Sequence, residues 1–174
     1  MTRLLNLSFV GAALVAWTIS GAVADTLPVV RPAVEDRTFQ STAIDNLINT
    51  LTPLFANPDL GTLFTNCLPN TLDTTVFYHT PANEANSTNL DTFVITGDIE
   101  AMWLRDSSNQ VLPYIPYAPT DPDLQLMLEG LIARQAKSVL IDSFANAFNF
   151  DASGEGHQSD IRKPPMGPAV FEGK

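Results

Sequence analysis

The sequence predicts a mainly α-helical fold that contains one small β element. In two long stretches, apolar residues recur every three or four positions, which is the period of an amphipathic helix. Two short runs between these stretches are rich in β-branched and aromatic residues, as strands are. The 174 residues are 45% hydrophobic, which is enough for one domain with a real core or for part of a larger domain.

The first predicted helices occupy residues 39–67. Residues 39–55 form the first amphipathic stretch, with Ser41 or Thr42 as its N-cap and Asn57, which precedes a proline, as its stop signal. A short helix over residues 59–67 is expected to follow it. Both helices are one-sided, so each needs a neighbouring layer to cover its apolar face.

The predicted β element follows directly. Pro69 and Asn70 are expected to end the preceding helix. Residues 74–79 and 92–96 then form two strands, with the polar residues 81–89 as the loop between them. Their proximity in sequence favours a hairpin.

The second half of the chain is predicted to contain two more helices. Residues 105–114 form the first, and four closely spaced prolines, beginning with Pro113 near its end, then interrupt the chain. The second is the longer amphipathic stretch, residues 124–141, with Asp123 as its N-cap or in its first turn, where a negative charge suits the helix dipole. Residues 151–174 are rich in Gly and Pro without periodicity, so a loop is expected there.

The N-terminus resembles a secretory signal peptide. Arg3 precedes an apolar run, residues 4–19, and a small-residue cleavage site ends at Ala24. The alternative is an uncleaved membrane anchor, but the run is shorter than the roughly 20 residues a span needs and contains Asn6 and Ser8. We therefore expect residues 1–24 to be a signal peptide, residues 25–174 to be the mature segment without stable membrane insertion, and the location to be the secretory pathway or the extracellular space.

Charge and cysteine content exclude several classes of function. The net charge of −10 and the isoelectric point of about 4.3 argue against a nucleic-acid partner, because phosphate binding requires clustered Lys and Arg. Cys67 is the single cysteine, so the chain has no intrachain disulfide and no cysteine-based zinc site. Its neighbours Phe64 and Leu68 favour a buried position for it. The two histidines, His79 and His157, have no partners at metal-ligand spacing, so no metal site is expected.

A consensus sequence for N-glycosylation lies in the predicted loop between the two strands. Asn86-Ser87-Thr88 has the required Asn-x-Thr pattern, within a polar stretch. We therefore expect Asn86 to be exposed and to carry a glycan in a secreted chain.

The segment 96–111 combines the groups that proteins use to hold a sugar. It contains three carboxylates, one guanidinium and one indole: Asp98, Glu100, Asp106, Arg105 and Trp103. Paired carboxylates cut most glycosidic bonds, an aromatic ring stacks on the apolar face of a sugar, and a guanidinium grips two oxygens as a rigid fork. Each carboxylate also has a purely structural interpretation: Asp106 as a helix cap, Asp98 as a turn residue after Gly97, and Glu100 as a solvated side chain. His157 lies in a second polar cluster within a Gly-rich loop.

Several blocks of the sequence, in order, resemble glycoside hydrolase family 125, the metal-independent exo-α-mannosidases. Residues 66–75 resemble the family's Asn-x-x-Pro-Asn-Thr-Leu-Asp-Thr-Thr block, and residues 97–107 its Gly-Asp-Ile-x-Ala-Met-Trp-Leu-Arg-Asp-Ser block. Residues 142–149 and 157–174 resemble later blocks. The similarity extends from about Arg31 to the last residue and looks most like the fungal branch of the family.

This resemblance implies a fold, an activity and a binding site. The fold would be the N-terminal part of an (α/α)₆ toroid, and the activity the hydrolysis of terminal α-1,6-linked mannose by an inverting mechanism without metal or cofactor. The implied partner is a mannose-containing glycan. Trp103, Arg105 and Asp106 match the block that lines the mannose-binding subsite, and Asp98 and His157 lie in matched segments near it.

The resemblance also implies that this chain lacks the catalytic pair. The family's general acid is an Asp shortly after the segment that matches residues 171–174, and its general base is a Glu much further along. We therefore expect no catalytic residue in this chain, a truncated toroid, and no hydrolase activity of the 174 residues alone. The alternatives are a non-catalytic secreted carbohydrate-binding protein or truncated remnant, and a different (α/α)-barrel enzyme such as a glucoamylase-like hydrolase.

Overall fold

The computed structural model describes residues 26–86, 88–153 and 170–173. Helices outweigh strands in these residues, which confirms the mainly α prediction. The α-helices are α1 (Thr42–Leu51), α2 (Pro58–Cys67), α3 (Asn70–Thr74), α4 (Leu104–Val111) and α5 (Pro122–Ile141). The strands are β1 (Val76–His79), β2 (Thr92–Val94), β3 (Met102–Trp103), β4 (Ala145–Phe148) and β5 (Val170–Gly173). Short 3₁₀ segments occupy Val34–Asp36, Thr52–Leu54 and Leu112–Thr120.

Helix α1 begins where the sequence predicted and ends earlier. Ser41 is its N-cap, and the Ser41 hydroxyl accepts a hydrogen bond from the backbone N–H of Ile44. The predicted end at residue 55 is wrong, because the α-helix stops at Leu51 and the chain tightens into the 3₁₀ turn Thr52–Leu54. Pro53 explains this change, since it has no N–H to donate and its ring crowds the preceding turn.

Helix α2 matches its prediction, but the helical path does not end after it. Asn57 caps α2 by accepting a hydrogen bond from the N–H of Asp59. Helix α2 ends at Cys67, just before Pro69, as predicted, and a further helix that the sequence did not predict, α3, starts at Asn70. Proline is tolerated at the start of a helix, where its missing N–H would have no partner, so Pro69 both follows the end of α2 and introduces α3.

The prediction that Cys67 is buried is wrong. Cys67 is exposed at the last position of α2. Phe64 and Leu68 pack against the core, and Gly61 is buried on the same side of the helix. At about 100° per residue, Cys67 projects roughly a quarter turn away from the middle of this face. Its apolar sequence neighbours therefore did not determine its burial.

Strands β1 and β2 form the predicted antiparallel hairpin. Val76 pairs with Val94 and His79 with Thr92, with an irregularity in the register between them. Phe93 and Val94 have no exposed surface, because α5 packs across β2. The hairpin is thus the inner layer against which the longest helix lies.

Helix α5 confirms the long predicted helix. Of the two predicted positions for Asp123, the structure shows the first turn, and Asp121 is the N-cap, which accepts a hydrogen bond from the N–H of Leu124. The buried face of α5 lies against the core, and it includes Met127, Leu128 and Leu131. Apolar residues also remain exposed along and beyond it: Ile132, Val139, Leu140, Ile141 and Phe144.

A second sheet, which the sequence did not predict, packs beside α4. Strands β3, β4 and β5 form an antiparallel sheet with β4 in the centre. The prediction of a single β element is therefore wrong, as is the prediction that residues 151–174 are entirely loop, because β5 occupies Val170–Gly173. Strands this short lack a resolvable alternation and are recognisable only once they are paired.

Helix α4 also differs from its prediction at both ends. It begins at Leu104 and ends at Val111, where the expected end was residue 114. The prolines in the following segment do not end the helical structure, because the chain continues as the 3₁₀ segment Leu112–Thr120. Within that segment Tyr114 is buried, and its hydroxyl donates a 2.6 Å hydrogen bond to the carbonyl of Leu68. This contact fixes the end of α4 against the end of α2.

Candidate functional site

The loop between β2 and β3 holds Asp98 in a tight turn. The Thr96 hydroxyl lies 3.0 Å from a carboxylate oxygen of Asp98 and 3.1 Å from the carbonyl of Ile99. Gly97 has a φ of 110°, a backbone conformation that residues with a Cβ rarely adopt. The Asp98 carboxylate closes this turn through its contact with Thr96, as its structural interpretation predicted. Asp98 is nevertheless exposed to solvent.

Trp103 lies at the end of strand β3 and packs against small buried residues. Ala101 and Met102 are fully buried, and β3 pairs with β4 so that Met102 lies opposite Phe148 and Trp103 opposite Ala147. The half-buried indole packs on a small cluster formed by Ala101 and Ala147. The Trp103 side chain is therefore supported by two small, fully buried residues.

The first turn of α4 presents Arg105 and Asp106. The Arg105 guanidinium donates a 2.9 Å hydrogen bond to the Asp106 carboxylate. Asp106 does not cap the helix: Trp103 occupies the N-cap position, and its side chain makes no capping hydrogen bond. Instead Asp106 lies in the first turn, where a negative charge interacts favourably with the helix dipole.

The opposite side of α4 is anchored to the core. Ser107 has no exposed surface, and its hydroxyl donates a 2.8 Å hydrogen bond to the carbonyl of Trp103. The side-chain amide of Gln135, on α5, donates to the hydroxyls of Ser107 at 2.8 Å and Ser108 at 3.0 Å. One face of this turn is therefore fixed by hydrogen bonds, and the other carries the charged pair.

Arg105 differs from the other arginines in the described ranges 26–86 and 88–153. The side chains of Arg31, Arg37 and Arg134 are only 8–13% exposed and are engaged in ion pairs. The Arg105 side chain is 76% exposed, and that of its partner Asp106 is 36% exposed. The Arg105 guanidinium therefore has exposed N–H donors that can bind a ligand, whereas the guanidinium groups of the other three arginines are buried in ion pairs within the fold.

The structure brings together three of the five predicted substrate-binding residues. Trp103, Arg105 and Asp106 share the junction of β3 and α4, and Asp98 lies on the loop that leads into β3. The fifth, His157, lies outside the described residues. The arrangement offers an aromatic surface, an exposed cationic fork and acidic acceptors within one short segment, which suits a polyhydroxylated ligand.

Gln135 is a supporting residue to which the sequence analysis assigned no role. It lies on the long helix, 27 residues after Ser108, and its role appears only when α4 and α5 are placed side by side. A polar side chain at a half-buried position within an apolar helix was the available signal. Gln110 acts similarly, because its amide donates to the carbonyl of Ile95 at 3.0 Å and so links α4 to the hairpin.

Within residues 26–86, 88–153 and 170–173, no group of three His, Cys, Asp or Glu side chains lies close enough to hold a metal ion. Among the same residues, no helix combines the length and the hydropathy of a membrane span.

Comparison with known proteins shows what this chain is similar to. A sequence model of the metal-independent α-mannosidases, glycoside hydrolase family 125, matches residues 57–174. The meiotically up-regulated gene 157 protein of Schizosaccharomyces pombe is 43% identical over 154 residues, which are 85% of this chain and 30% of that protein. A solved metal-independent α-mannosidase of Streptococcus pneumoniae, in a non-productive complex with α-1,6-mannobiose, superposes with a TM-score of 0.63 at 29% identity.

The matches cover most of this chain but only a small part of each relative. The Streptococcus structure matches over 79% of this chain but 30% of its own length. The chain thus spans about a third of the length of the relatives it matches. Its fold is the corresponding part of the (α/α)₆ toroid that the sequence predicted.

Proposed function

Because this chain belongs to glycoside hydrolase family 125, the metal-independent α-mannosidases, we propose that it is the sugar-binding part of a hydrolase that removes terminal α-1,6-linked mannose. The observation that carries the proposal is the family match over residues 57–174, which includes the whole junction of β3 and α4. The S. pneumoniae relative holds α-1,6-mannobiose, which supports a mannose-containing glycan as the ligand class.

The junction of β3 and α4 offers separate contacts for the apolar surface and for the hydroxyl groups of a mannose ring. Trp103 offers the apolar face of the sugar a flat surface that is already supported by the alanine cluster beneath it. Arg105 donates to hydroxyl oxygens, and Asp106 accepts from hydroxyl groups, so that adjacent hydroxyls meet one donor and one acceptor. Asp98 adds an exposed acceptor on the neighbouring loop.

We place the catalytic pair outside these 174 residues. In an inverting hydrolysis, one carboxylic acid protonates the glycosidic oxygen as the bond to the anomeric carbon breaks. A carboxylate on the opposite side of the ring removes a proton from the attacking water, and the two carboxyl groups are roughly 6.5–9.5 Å apart. Asp98 and Asp106 are assigned to binding, because Asp98 closes a turn and Asp106 is paired with Arg105.

A comparison of two polypeptides tests this proposal. The 174-residue chain and the complete reading frame that contains it are each assayed for mannose release from α-1,6-mannobiose, with the α-1,2- and α-1,3-linked disaccharides as controls. We expect the complete protein to release mannose from the 1,6-linked substrate, as the inverted anomer and in the presence of a chelator. We expect the 174 residues alone to release none.

Two outcomes would contradict the proposal in different ways. Hydrolysis by the 174-residue chain would show that the acid and base lie within it. Saturable mannose binding by both polypeptides, with hydrolysis by neither, would favour the alternative of a non-catalytic carbohydrate-binding protein.

The proposal includes passage through the secretory pathway. The sequence pattern of residues 1–24, with its small-residue site before Asp25, supports this location. Sequencing the N-terminus of the product recovered from the medium or from secretory vesicles tests it, and we expect the first residue to be Asp25.

A further inference from the structure

The loop that joins β1 to β2 is held in shape by its own side chains. The carboxamide oxygen of Asn89 accepts a 2.7 Å hydrogen bond from the backbone N–H of Asn86, and its amide donates at 2.8 Å to the carbonyl of Glu84. At the base of the loop, the Thr80 hydroxyl lies 3.0 Å from the carbonyl of Asn89. These contacts define the loop without using the side-chain nitrogen of Asn86.

The side chain of Asn86 is oriented by Thr88. The Asn86 Oδ1 atom accepts two hydrogen bonds from Thr88, one from its backbone N–H at 3.0 Å and one from its hydroxyl at 2.6 Å. Because both partners are donors here, the accepting atom is the carbonyl oxygen and the remaining atom is the amide nitrogen. Asn86 is exposed, and no acceptor among the described residues binds its Nδ2.

From this arrangement we infer that Asn86 carries an N-linked oligosaccharide, an inference that rests on the secretory location proposed above. The sequence supplies the Asn-x-Thr pattern, and the structure supplies an exposed Asn86 on a loop that is held by Asn89 and not by the Nδ2 atom of Asn86. The donor is a lipid-linked oligosaccharide pyrophosphate. Nδ2 forms a bond to the anomeric carbon and loses one proton, while the bond from that carbon to the pyrophosphate oxygen breaks and the lipid pyrophosphate leaves with the electron pair.

The glycan projects from the opposite end of the hairpin to the candidate mannose site. Asn86 lies in the connection from His79 to Thr92, whereas the loop that holds Asp98 begins beyond the other end of β2. The three residues of β2 alone separate these ends by roughly 10 Å. The attachment point therefore lies outside the mannose-binding junction, and removal of the glycan is expected to leave mannose affinity unchanged within twofold.

Translation of the full chain with microsomal membranes tests this inference. Protection from added protease measures translocation, and a mobility shift that an endoglycosidase reverses measures glycosylation. We expect a protected product with a single shift. We expect the Asn86→Gln and Thr88→Ala variants to remain protected and to lose the shift completely. Thr88→Ser, which retains the consensus, should keep the shift.

The matched control is Asn89→Gln, because Asn89 holds the same loop but lies outside any consensus sequence. We expect this variant to keep the shift. A protected chain without a shift would overturn the inference and leave the mannosidase proposal intact. A chain that remains accessible to protease would overturn both the secretory location and the glycosylation, while the hydrolysis assay above would still decide the activity.

Discussion

The N-cap residues of the two long helices are hydrogen-bonded to each other: the Ser41 hydroxyl donates to a carboxylate oxygen of Asp121 at 2.7 Å. Ser41 caps α1 and Asp121 caps α5, and the same Asp121 oxygen accepts a 3.0 Å hydrogen bond from the N–H of Ala43. Both side chains are buried, at 4% and 6% exposure. One carboxylate thus fixes the starts of two helices that are 80 residues apart in sequence.

This shared cap predicts a contribution to acid lability. Burial would raise the pKa of Asp121, but hydrogen bonds from Ser41, Ala43 and Leu124 outweigh it and hold this pKa below its usual value. A carboxylate whose pKa is lower in the folded protein than in the unfolded chain stabilises the fold at any pH above the unfolded pKa of about 3.9. This stabilisation is lost as the pH falls through the pKa of the folded state. We expect Asp121→Asn to flatten the fall in unfolding free energy below about pH 4.

Urea unfolding between pH 7 and pH 2 measures this slope. The matched control is Asp123→Asn, an exposed neighbour in the first turn of the same helix. At neutral pH, Asp121→Ala, which removes the capping oxygen, is expected to cost about 1 kcal/mol. Identical slopes for the wild type and for Asp121→Asn would contradict the assigned role.

Gly130 is required for the close packing of α5 on the hairpin. A Cβ at this position would lie 2.5 Å from the Thr92 hydroxyl and 3.0 Å from the backbone of Asp91. Because the backbone of the hairpin cannot yield as a flexible side chain can, we expect Gly130→Ala to lower the unfolding free energy by about 1–3 kcal/mol. Glu129→Ala, at the exposed adjacent position, should change it by less than about 0.5 kcal/mol. Equal midpoints of thermal unfolding for both variants would refute this prediction.

Arg134 joins α5 to both sheets. Its guanidinium forms a two-pronged ion pair with Asp91, donates a 2.7 Å hydrogen bond to the carbonyl of Phe150, and lies over the rings of Phe93 and Phe150. Because Arg134→Ala leaves the Asp91 carboxylate without this partner, we expect a loss of roughly 3 kcal/mol in unfolding free energy.

Arg134→Lys is expected to recover only part of this stability, since an ammonium group cannot reproduce the fork. Chemical denaturation of both variants, with the exposed Lys137→Ala as a control on the same helix, provides the measurement. Full recovery by lysine would show that charge alone, and not the shape of the guanidinium, holds the sheets together.

Arg105 is predicted to affect binding without affecting stability. Its ion pair with Asp106 is exposed, so Arg105→Ala should change the unfolding free energy by less than about 1 kcal/mol. Loss of hydrogen bonds from a charged donor should weaken mannose binding by roughly tenfold or more. Calorimetric titration with mannose measures the affinity, and an unchanged dissociation constant would remove Arg105 from the proposed site.

The sequence determined the local elements that its periodicity and caps specify. The 3.6-residue pattern identified α1 and α5, and the β-branched runs identified the β1–β2 hairpin. The junction residues Trp103, Arg105 and Asp106 were also found from the sequence, because their side-chain chemistry and the family resemblance converge on one short segment. Each of these features is encoded within a few neighbouring residues.

Only the tertiary structure decided what depends on distant partners. Strands β3, β4 and β5 carry too short a pattern to be recognised alone and exist through pairing between residues more than 20 positions apart. Cys67 is exposed because the core packs against a face of α2 that lies roughly a quarter turn away from it, and Gln135 contacts the first turn of α4 because α5 lies beside it. Burial and hydrogen-bond partnership are properties of the space between elements, so a sequence pattern that is local along the chain could not specify them.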